Sequence, residues 1–310
     1  MAAQRKKIIV ITGATASGKT SLAVELALRF GGEIISADSM QVYRGMDIGT
    51  AKPTLAERRG VPHHLLDIVD PDEPFDAGRY RDIVIPLVEK IRKRGAPCFL
   101  VGGTGLYIKA LLGGLLPTPP SHSAIRKRLN EIWDVDDGVA LNQRLKSIDP
   151  QGAESIHPHD RVRIIRALEV FELTGKPFSV LVRRHAFKKR SFEALKICLQ
   201  LDRDRLYDRI NQRCLHMVEL GLQRETEDLL ERGYSSDLKP MKAIGYRHMV
   251  CHISGQWGLD KTVSTLQRDT RRYAKRQITW FRADPEITYF NPVVGSQSGL
   301  IRSIDTFVSS

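Results

Sequence analysis

The 310-residue sequence has little cysteine and no long apolar run. Its four cysteines, Cys98, Cys198, Cys214 and Cys251, are far apart and form no C-x-x-C pair, so neither a zinc site nor a disulfide framework is predicted. No apolar run reaches the roughly 18 residues that cross a bilayer. The basic residues 1–7 lead into an apolar stretch that is too short for a signal peptide, so we expect a cytoplasmic protein without a membrane partner.

Acidic residues are fewer than basic residues. The sequence contains 36 Asp and Glu against 48 Lys and Arg, which gives a net charge of +12. Such a balance favours a polyanionic partner such as nucleic acid, because phosphates release counterions when basic side chains neutralise them. Charge alone fits a protein that is simply basic equally well. The length predicts about two domains, at roughly 150 residues each.

Short apolar strands alternate with helices in the first third of the chain. Strands are predicted at 7–12, 33–37 and 97–101, and helices at 19–30, 75–94 and 106–112. This alternation predicts a parallel α/β sheet flanked by helices. Ligands bind such sheets at the carboxyl ends of the strands. Residues 13–20, Asp38 and Thr104 all follow strand ends, so we expect them to meet in one cleft.

The pattern changes after the proline-rich stretch 116–120. Residues 121–190 are predicted to be helical and basic, and a strand pattern returns only at 194–201. We therefore predict an inserted all-helical domain over 117–193 and a catalytic core formed by 1–116 and 194–310. Two long helices are predicted in the second part of the core, near 205–232 and 261–282.

The strongest chemical signal is a match to G-x-x-x-x-G-K-[ST] between a strand and a helix. It consists of Gly13, Ala14, Thr15, Ala16, Ser17, Gly18, Lys19 and Thr20. The backbone N–H groups of such a loop and the helix N-terminus attract an anion, Lys19 adds a positive charge, and Thr20 is a candidate Mg²⁺ ligand. The loop predicts a phosphate site without identifying the compound, although most such loops bind ATP or GTP.

Several longer strings accompany the phosphate loop. They are Asp38–Pro53, Val61–Asp67, Phe75–Tyr80, Gly102–Tyr107, Asp160–Val170, Thr174–Pro177, Lys242–Arg247 and Arg271–Arg282. With these strings the chain closely resembles the bacterial-type tRNA dimethylallyltransferases over nearly its whole length. Many families share the phosphate loop, whereas the Asp38–Pro53 and Arg271–Arg282 strings are far more specific.

The resemblance implies a fold and a reaction. The fold is a P-loop NTPase-like parallel sheet with the helical insertion. The reaction is transfer of the dimethylallyl group of dimethylallyl diphosphate to N6 of the adenosine 3′ to the anticodon, position 37 of tRNA, with release of diphosphate and with Mg²⁺ as cofactor. The expected partners are the tRNA anticodon stem-loop and the prenyl donor, and the expected state is a monomer.

The resemblance also assigns catalytic roles. Lys19 and Thr20, with Mg²⁺, would hold the diphosphate, and Asp38 would be the general base that accepts a proton from the weakly nucleophilic amine. Asp38 alone is also consistent with a turn cap or with the Mg²⁺ ligand of a kinase. The basic face of the helix predicted near 261–282 points to Arg272 or Lys275 as a further contact of the diphosphate.

Further matched positions imply contacts with the anticodon loop, whose target base must leave its stack. They are Asp38, Ser39, Met40, Gln41, Thr104, Arg126, Val162, Arg163, Ile164, Ile165, Arg166, Lys242, Ala243, Ile244, Gly245, Tyr246 and Arg247. Without the resemblance, Thr104 is equally a turn residue and Arg126 part of a solvated basic face. Arg183–Arg184 and Lys188–Arg190 are additional candidates for phosphate contacts, or simply a basic loop.

Three other functions each explain part of the sequence. A P-loop kinase of a small metabolite explains the loop and Asp38, but not the basic insertion or the net charge. An isopentenyltransferase acting on free adenine nucleotides shares the core, yet a free nucleotide needs no additional basic domain. A non-catalytic RNA-binding protein would use the loop as a phosphate clamp, which leaves Asp38 without a role.

Overall fold

The computed structural model describes residues 6–185 and 192–310. Its sheet has six strands in the order β3-β2-β4-β1-β5-β6, and every neighbouring pair is parallel. The strands are β1 (Lys6–Gly13), β2 (Glu33–Ser36), β3 (His63–His64), β4 (Cys98–Val101), β5 (Phe192–Leu199) and β6 (Ile287–Phe290). The predicted parallel α/β sheet is therefore confirmed, with the glycine loop following the strand that lies between β4 and β5.

Helices flank the sheet and form the insertion. They are α1 (Lys19–Phe30), α2 (Leu55–Arg58), α3 (Ala77–Lys93), α4 (Gly105–Gly113), α5 (Ser123–Asp136), α6 (Val139–Ile148), α7 (Pro150–Ser155), α8 (Arg161–Thr174), α9 (Phe178–His185), α10 (Arg203–Glu219), α11 (Leu222–Glu231), α12 (Tyr246–Ile253), α13 (Leu259–Arg282) and α14 (Gln297–Ser309).

The chain divides into two compact units. One consists of Met1–Leu112 with Ser191–Ser310, and the other of Gly113–Arg190. The predicted insertion was 117–193. The observed unit starts four residues earlier, at Gly113, and stops three residues earlier, at Arg190. Its described part contains the helices α5–α9 and no strand.

The core of the first unit forms because β1 has an apolar centre, residues 8–11, and α1 has one apolar face. Leu22, Ala23 and Leu26 of α1 are buried in the same cluster as Ile9 and Ile11 of β1. Fully burying a side chain of this size contributes roughly 1.5–3 kcal/mol. This packing holds the start of α1, and with it the phosphate loop, against the end of β1.

The helix predicted near 205–232 is two helices in the structure, α10 and α11. The chain turns between them at Gly221, whose φ of +98° lies in a region that favours glycine. The hydrophobic periodicity continues across this turn, so periodicity alone missed the break. The edge strands β3 and β6, which contain two and four residues, were also missed, because such short runs give little pattern.

The helical unit has its own apolar core and a buried carboxylate beside it. The core contains Trp133, Leu141, Leu145, Ile164 and Leu168 among others.

Glu169 of α8 is 0% exposed and accepts hydrogen bonds from three neighbours. They are the backbone N–H of His122 at 2.7 Å, Arg126 Nε at 2.9 Å and Arg166 Nη1 at 2.5 Å. These bonds fasten the start of α5 to the middle of α8.

We expect Glu169→Ala to destabilise the protein by about 2–3 kcal/mol, because it leaves a backbone N–H and two guanidinium groups without their shared acceptor. Thermal unfolding followed by circular dichroism measures the effect. The exposed Glu154 of α7 supplies the control, since Glu154→Ala is expected to shift stability by less than about 0.5 kcal/mol. Equal unfolding midpoints for the two variants would show that Glu169 does not brace the unit.

Candidate active site

A cavity of about 380 Å³ lies at the carboxyl ends of the strands. Thr15 and Lys19 reach it from the loop after β1, Asp38 from the loop after β2, and Gly103 from the loop after β4. The predicted convergence of the phosphate loop and Asp38 is therefore observed. The volume lies within the roughly 300–1,000 Å³ usual for small-molecule sites.

The residues of the phosphate loop differ in their access to the cavity. Thr15, Lys19 and Thr20 line it, while Ala14 and Ser17 are buried. Lys19 Nζ donates to the carbonyl oxygen of Ala14 at 2.7 Å. Burial, with a smaller contribution from Arg213, lowers the pKa of Lys19 to about 8. The ammonium group is thus poised for an anion that would compensate its charge.

Asp38 begins a tight turn and also faces the cations of the cavity. Its Oδ1 accepts from the backbone N–H of Met40 at 2.8 Å, so the predicted turn-capping role is real. Burial lowers the pKa of Lys19 and of Arg213, and the Asp38 charge opposes both effects. Burial, and then Asp38, raise the pKa of Tyr273. The carboxylate therefore lies in the same electrostatic environment as the phosphate loop.

Arg213 of α10 is a site residue that sequence reasoning missed. It lines the cavity and makes no hydrogen bond or ion pair with any other described residue. Burial lowers its pKa, because the charged form loses water without gaining a fixed partner. Nothing in the sequence around Arg213 distinguishes it from the other arginines of α10, so only the fold could reveal it.

Helix α13 covers the outer end of the phosphate loop. Gln277 Oε1 accepts from the backbone N–H of Thr15 at 2.8 Å, and Gln277 Nε2 donates to the carbonyl oxygen of Gly103 at 3.0 Å. A Cβ at Gly103 would lie 2.1 Å from Gln277 Nε2, and one at Gly105 would lie 2.1 Å from Trp280 Nε1. The backbone after β4 therefore lacks side chains at Gly103 and Gly105, where α13 packs against it.

Arg272 and Lys275 do not line the cavity. Both are exposed, and Arg272 lies 3.8 Å from Asp269 on its own helix. The residues of α13 that reach the cavity are Leu266, Thr270, Tyr273, Arg276 and Gln277. The predicted basic face was thus assigned to the wrong side of the helix, because a basic stripe on a sequence is more often the solvent face.

The described residues contain no cluster of three or more His, Cys, Asp or Glu side chains that could hold a metal ion. Among them, no helix combines the length and apolar character needed to cross a bilayer. The four cysteines are all free thiols.

Known proteins are similar to this chain in sequence and in fold. A profile of the family described as IPP transferase matches residues 41–284. The chain belongs to the IPP transferase family. It is 50% identical over 291 residues to a tRNA dimethylallyltransferase of Desulfosudis oleivorans, covering 94% of this chain and 93% of that protein. A tRNA dimethylallyltransferase of Geobacter sulfurreducens is 50% identical over 288 residues, 93% of both chains.

Solved structures of this family have the same fold. The tRNA isopentenylpyrophosphate transferase of Bacillus halodurans superposes with a TM-score of 0.72 at 42% identity, over 98% of this chain and 96% of that one. A eukaryotic dimethylallyltransferase acting on tRNA gives a TM-score of 0.81 at 29% identity, over 98% of this chain and 80% of that one. The P-loop NTPase-like fold predicted for this IPP transferase is confirmed.

The segment after β2 forms one wall of the cavity in this IPP transferase. Ser39, Met40 and Gln41 line it, and the backbone N–H of Ser39 donates to Thr104 Oγ1 at 3.0 Å. Thr104 thus braces the segment. The amide of Gln41, one of the expected contacts with the anticodon loop, is engaged within the protein, because its Nε2 donates to the carbonyl oxygen of Ala51 at 3.2 Å.

Residues Lys242, Ala243, Ile244, Gly245, Tyr246 and Arg247 also line the cavity, but they differ in exposure. Lys242 and Arg247 are exposed, and they pair with Asp237 and Asp269.

Tyr246 is fully buried, so the expectation that it touches tRNA is corrected. Its hydroxyl donates at 2.6 Å to Glu225 Oε1. The same carboxylate accepts from the backbone N–H groups of residues 47, 48 and 49. Tyr246 and Glu225 therefore hold the segment that contains Asp47.

Several residues of the helical unit that were expected at the tRNA surface are internal. Ile164 and Ile165 are 0% and 5% exposed, since they belong to the apolar core, and their side chains are not available to a ligand. Arg166 is partly buried and Arg126 is exposed, and both pair with the buried Glu169. Val162, which is 78% exposed, and Arg163 are on the surface. Arg183 and Arg184 lie on α9, and Lys188–Arg190 lie outside the described residues.

The lowered pKa of Lys19 predicts how anion binding depends on pH. Since the ammonium group of the free protein loses its proton near pH 8 rather than near 10.5, the affinity for inorganic diphosphate is expected to fall as the pH rises above about 8. Isothermal titration calorimetry between pH 6.5 and 9.5 measures the dissociation constant.

Lys19→Arg is the matched control for this pH profile, because a guanidinium stays protonated throughout the range. Its affinity is expected to show no such fall. Parallel profiles for the wild type and the variant would show that Lys19 is not the group that titrates.

Proposed function

We propose that this chain transfers the dimethylallyl group of dimethylallyl diphosphate to N6 of the adenosine 3′ to the anticodon in tRNA, and releases diphosphate. The relatives named above are tRNA dimethylallyltransferases. The observation that carries the proposal is a single cavity in which an anion-binding loop faces a carboxylate. Transfer from a diphosphate to an amine needs both groups, one for the leaving anion and one for the proton.

The donor would bind by its diphosphate at the phosphate loop. Lys19 and Arg213 offer cations, and the start of α1 offers backbone N–H groups. These groups stabilise the negative charge that develops on the departing diphosphate. Arg213 thus replaces Arg272 and Lys275 in this role, since it lines the cavity and they do not.

The residues present also fit a Mg²⁺ ion. Thr20 and Asp38 bring two oxygen ligands to the same cavity, and Mg²⁺ commonly binds through one or two protein oxygens together with the phosphates of a substrate. When bound, Mg²⁺ would neutralise charge on the diphosphate. We therefore retain Thr20 as the candidate metal ligand.

The acceptor would present its N6 amine to Asp38. The new bond forms between N6 and the first carbon of the dimethylallyl group, while the bond from that carbon to the diphosphate oxygen breaks. The amine becomes positively charged in this step, and Asp38 accepts the proton that it loses. The carboxylate is held in place by its bond to the Met40 N–H, so it needs little reorganisation during the reaction.

Exposed groups around the cavity would position the tRNA. Lys242 and Arg247 would offer charges to its phosphates, and the wall formed by residues 39–41 would face the extruded base. Arg126, Val162 and Arg163 are the exposed candidates on the helical unit. Kinases and free-nucleotide transferases lack support here, because the relatives at 50% identity are named for tRNA.

Asp38→Asn tests the base while it preserves the turn. The amide oxygen of the new side chain still accepts from the backbone, but an amide takes no proton at neutral pH. We expect the turnover rate to fall about 10²–10⁴-fold. The assay measures radiolabel transferred from dimethylallyl diphosphate to unmodified tRNA, with AMP as the control acceptor.

The variant must also be shown to bind the donor. Retained affinity for dimethylallyl diphosphate, combined with lost transfer, assigns the defect to proton removal. A variant that transfers label at the wild-type rate would exclude Asp38 as the base, and label in AMP but not in tRNA would contradict the proposed acceptor.

Arg213→Gln and Arg272→Gln form a matched pair that tests the donor site. We expect Arg213→Gln to raise KM for dimethylallyl diphosphate at least about tenfold, since a charged hydrogen bond to the diphosphate is lost. Arg272→Gln, on the exposed side of α13, should leave KM unchanged. Steady-state kinetics with saturating tRNA measure both, and the reverse result would restore the prediction made from the sequence.

A further inference from the structure

The amide of Gln277 makes two hydrogen bonds that the proposed chemistry does not use. One joins it to Thr15, which is 262 residues away in sequence, and the other to Gly103, which is 174 residues away. The side chain is only 6% exposed. A buried amide with its donor and its acceptor both engaged has a single favourable orientation, so Gln277 is a fixed part of the cavity wall.

The bond to Thr15 removes one donor from the phosphate loop. The inner end of the loop is Gly18–Thr20, where α1 begins and Lys19 lies. Thr15, Lys19 and Thr20 line the same cavity, so a phosphate chain seated at that end would extend toward Thr15 if it followed the loop. The N–H of Thr15 is already donated to Gln277, so a phosphoryl group at this outer end would meet an amide oxygen, which repels an anion, instead of an N–H that binds one.

Gln277 also packs closely on the backbone after β4. Its Nε2 lies so near Gly103 that no side chain fits between them, and the next turn of α13 places Trp280 against Gly105. One side chain thus joins the loop after β1 to the loop after β4, beside Thr15 on the cavity wall. A third phosphoryl group would have to displace this bridge.

We propose that Gln277 determines the specificity of the phosphate loop, since it admits a diphosphate and excludes the third phosphoryl group of a nucleoside triphosphate. The inference rests on the proposed function, in which the diphosphate of the donor occupies the loop. It explains how a loop of the kind that commonly holds ATP or GTP serves a prenyl diphosphate in this fold. Gln277 is a positioning residue: it acts on the ligand through the Thr15 N–H.

The test compares the dissociation constants of inorganic diphosphate and inorganic tripolyphosphate, both with Mg²⁺, by isothermal titration calorimetry on the full chain. Gln277→Ala frees the Thr15 N–H and opens the space. The affinity for tripolyphosphate relative to diphosphate is therefore expected to rise at least about tenfold, the worth of one hydrogen bond to a charged group. An unchanged ratio, including equal weakening of both anions, would reduce Gln277 to a structural brace and overturn the proposal.

Gln267→Ala is the matched control. Gln267 lies on the same helix and donates to the carbonyl oxygen of Asn211 at 3.2 Å, and it does not line the cavity. Its loss is expected to leave the ratio of the two dissociation constants unchanged. A rise in this variant as large as in Gln277→Ala would mean that any loosening of α13 admits tripolyphosphate, which also overturns the proposal.

Gln277→Glu gives an independent readout if Gln277→Ala fails to fold. A carboxylate still accepts from Thr15, although it no longer donates to Gly103, and it adds a negative charge at the outer end. The preference for diphosphate over tripolyphosphate should therefore increase, opposite to the effect of alanine. A ratio that stays constant or moves toward tripolyphosphate contradicts the proposal.

The dimethylallyl transfer assay separates this inference from the function on which it rests. Wild-type protein that transfers label to tRNA, with ratios unaffected by either substitution, would overturn the role of Gln277 alone. Wild-type protein that transfers no label would overturn the proposed function, and the role of Gln277 with it.

Discussion

The cleft depends on the close approach of α13 to the backbone of the loop after β4. At Gly103 and Gly105 a Cβ would overlap with Gln277 and Trp280, which are one helical turn apart. A side chain at Gly103 would displace the Gln277 amide, and a side chain at Gly105 would displace the Trp280 indole. The bridge from Gln277 to the phosphate loop would then be disturbed. The two missing side chains after β4 thus allow these side chains of α13 to lie directly against the backbone.

The positive charge in the cleft is only partly compensated by the protein's own residues. Lys19 and Arg213 are both held where burial disfavours their charged forms, and Asp38 compensates them only in part. In the proposed reaction, a bound diphosphate would supply the missing negative charge. Asp38 would then be available to the acceptor, because the diphosphate would pair with the cations that Asp38 otherwise compensates.

The sequence predicted the parts of the fold whose signals are local. The phosphate loop, the apolar strands β1, β2 and β4, and Asp38 at a strand end were all recognised, because each depends on residues that are neighbours in the chain. The resemblance of long strings supplied the reaction and the family. The division into a core and a helical insertion followed from a change in periodicity, and its bounds differ from the observed ones by only three or four residues.

What could not be predicted depends on contacts between distant segments. The side of α13 that faces the cleft is determined by Gln277 and Tyr273 rather than by its basic stripe, and no pattern within the helix reveals this. Arg213 is one arginine among several on α10 until the fold brings it to the cavity. Arg126 and Arg166 were read as ligands of RNA, but they satisfy Glu169, a buried carboxylate whose burial only the packed unit shows.

The distance in sequence between Thr15 and Gln277 has a consequence for how the protein matures. During synthesis the phosphate loop leaves the ribosome early, and the 262 residues that separate it from its partner amide include the whole helical unit. Contacts of such long range close late, after local helices have formed. A nascent chain therefore carries a phosphate loop whose Thr15 N–H is not yet bonded to Gln277. If Gln277 has the proposed role, the preference for diphosphate is established only when α13 has docked.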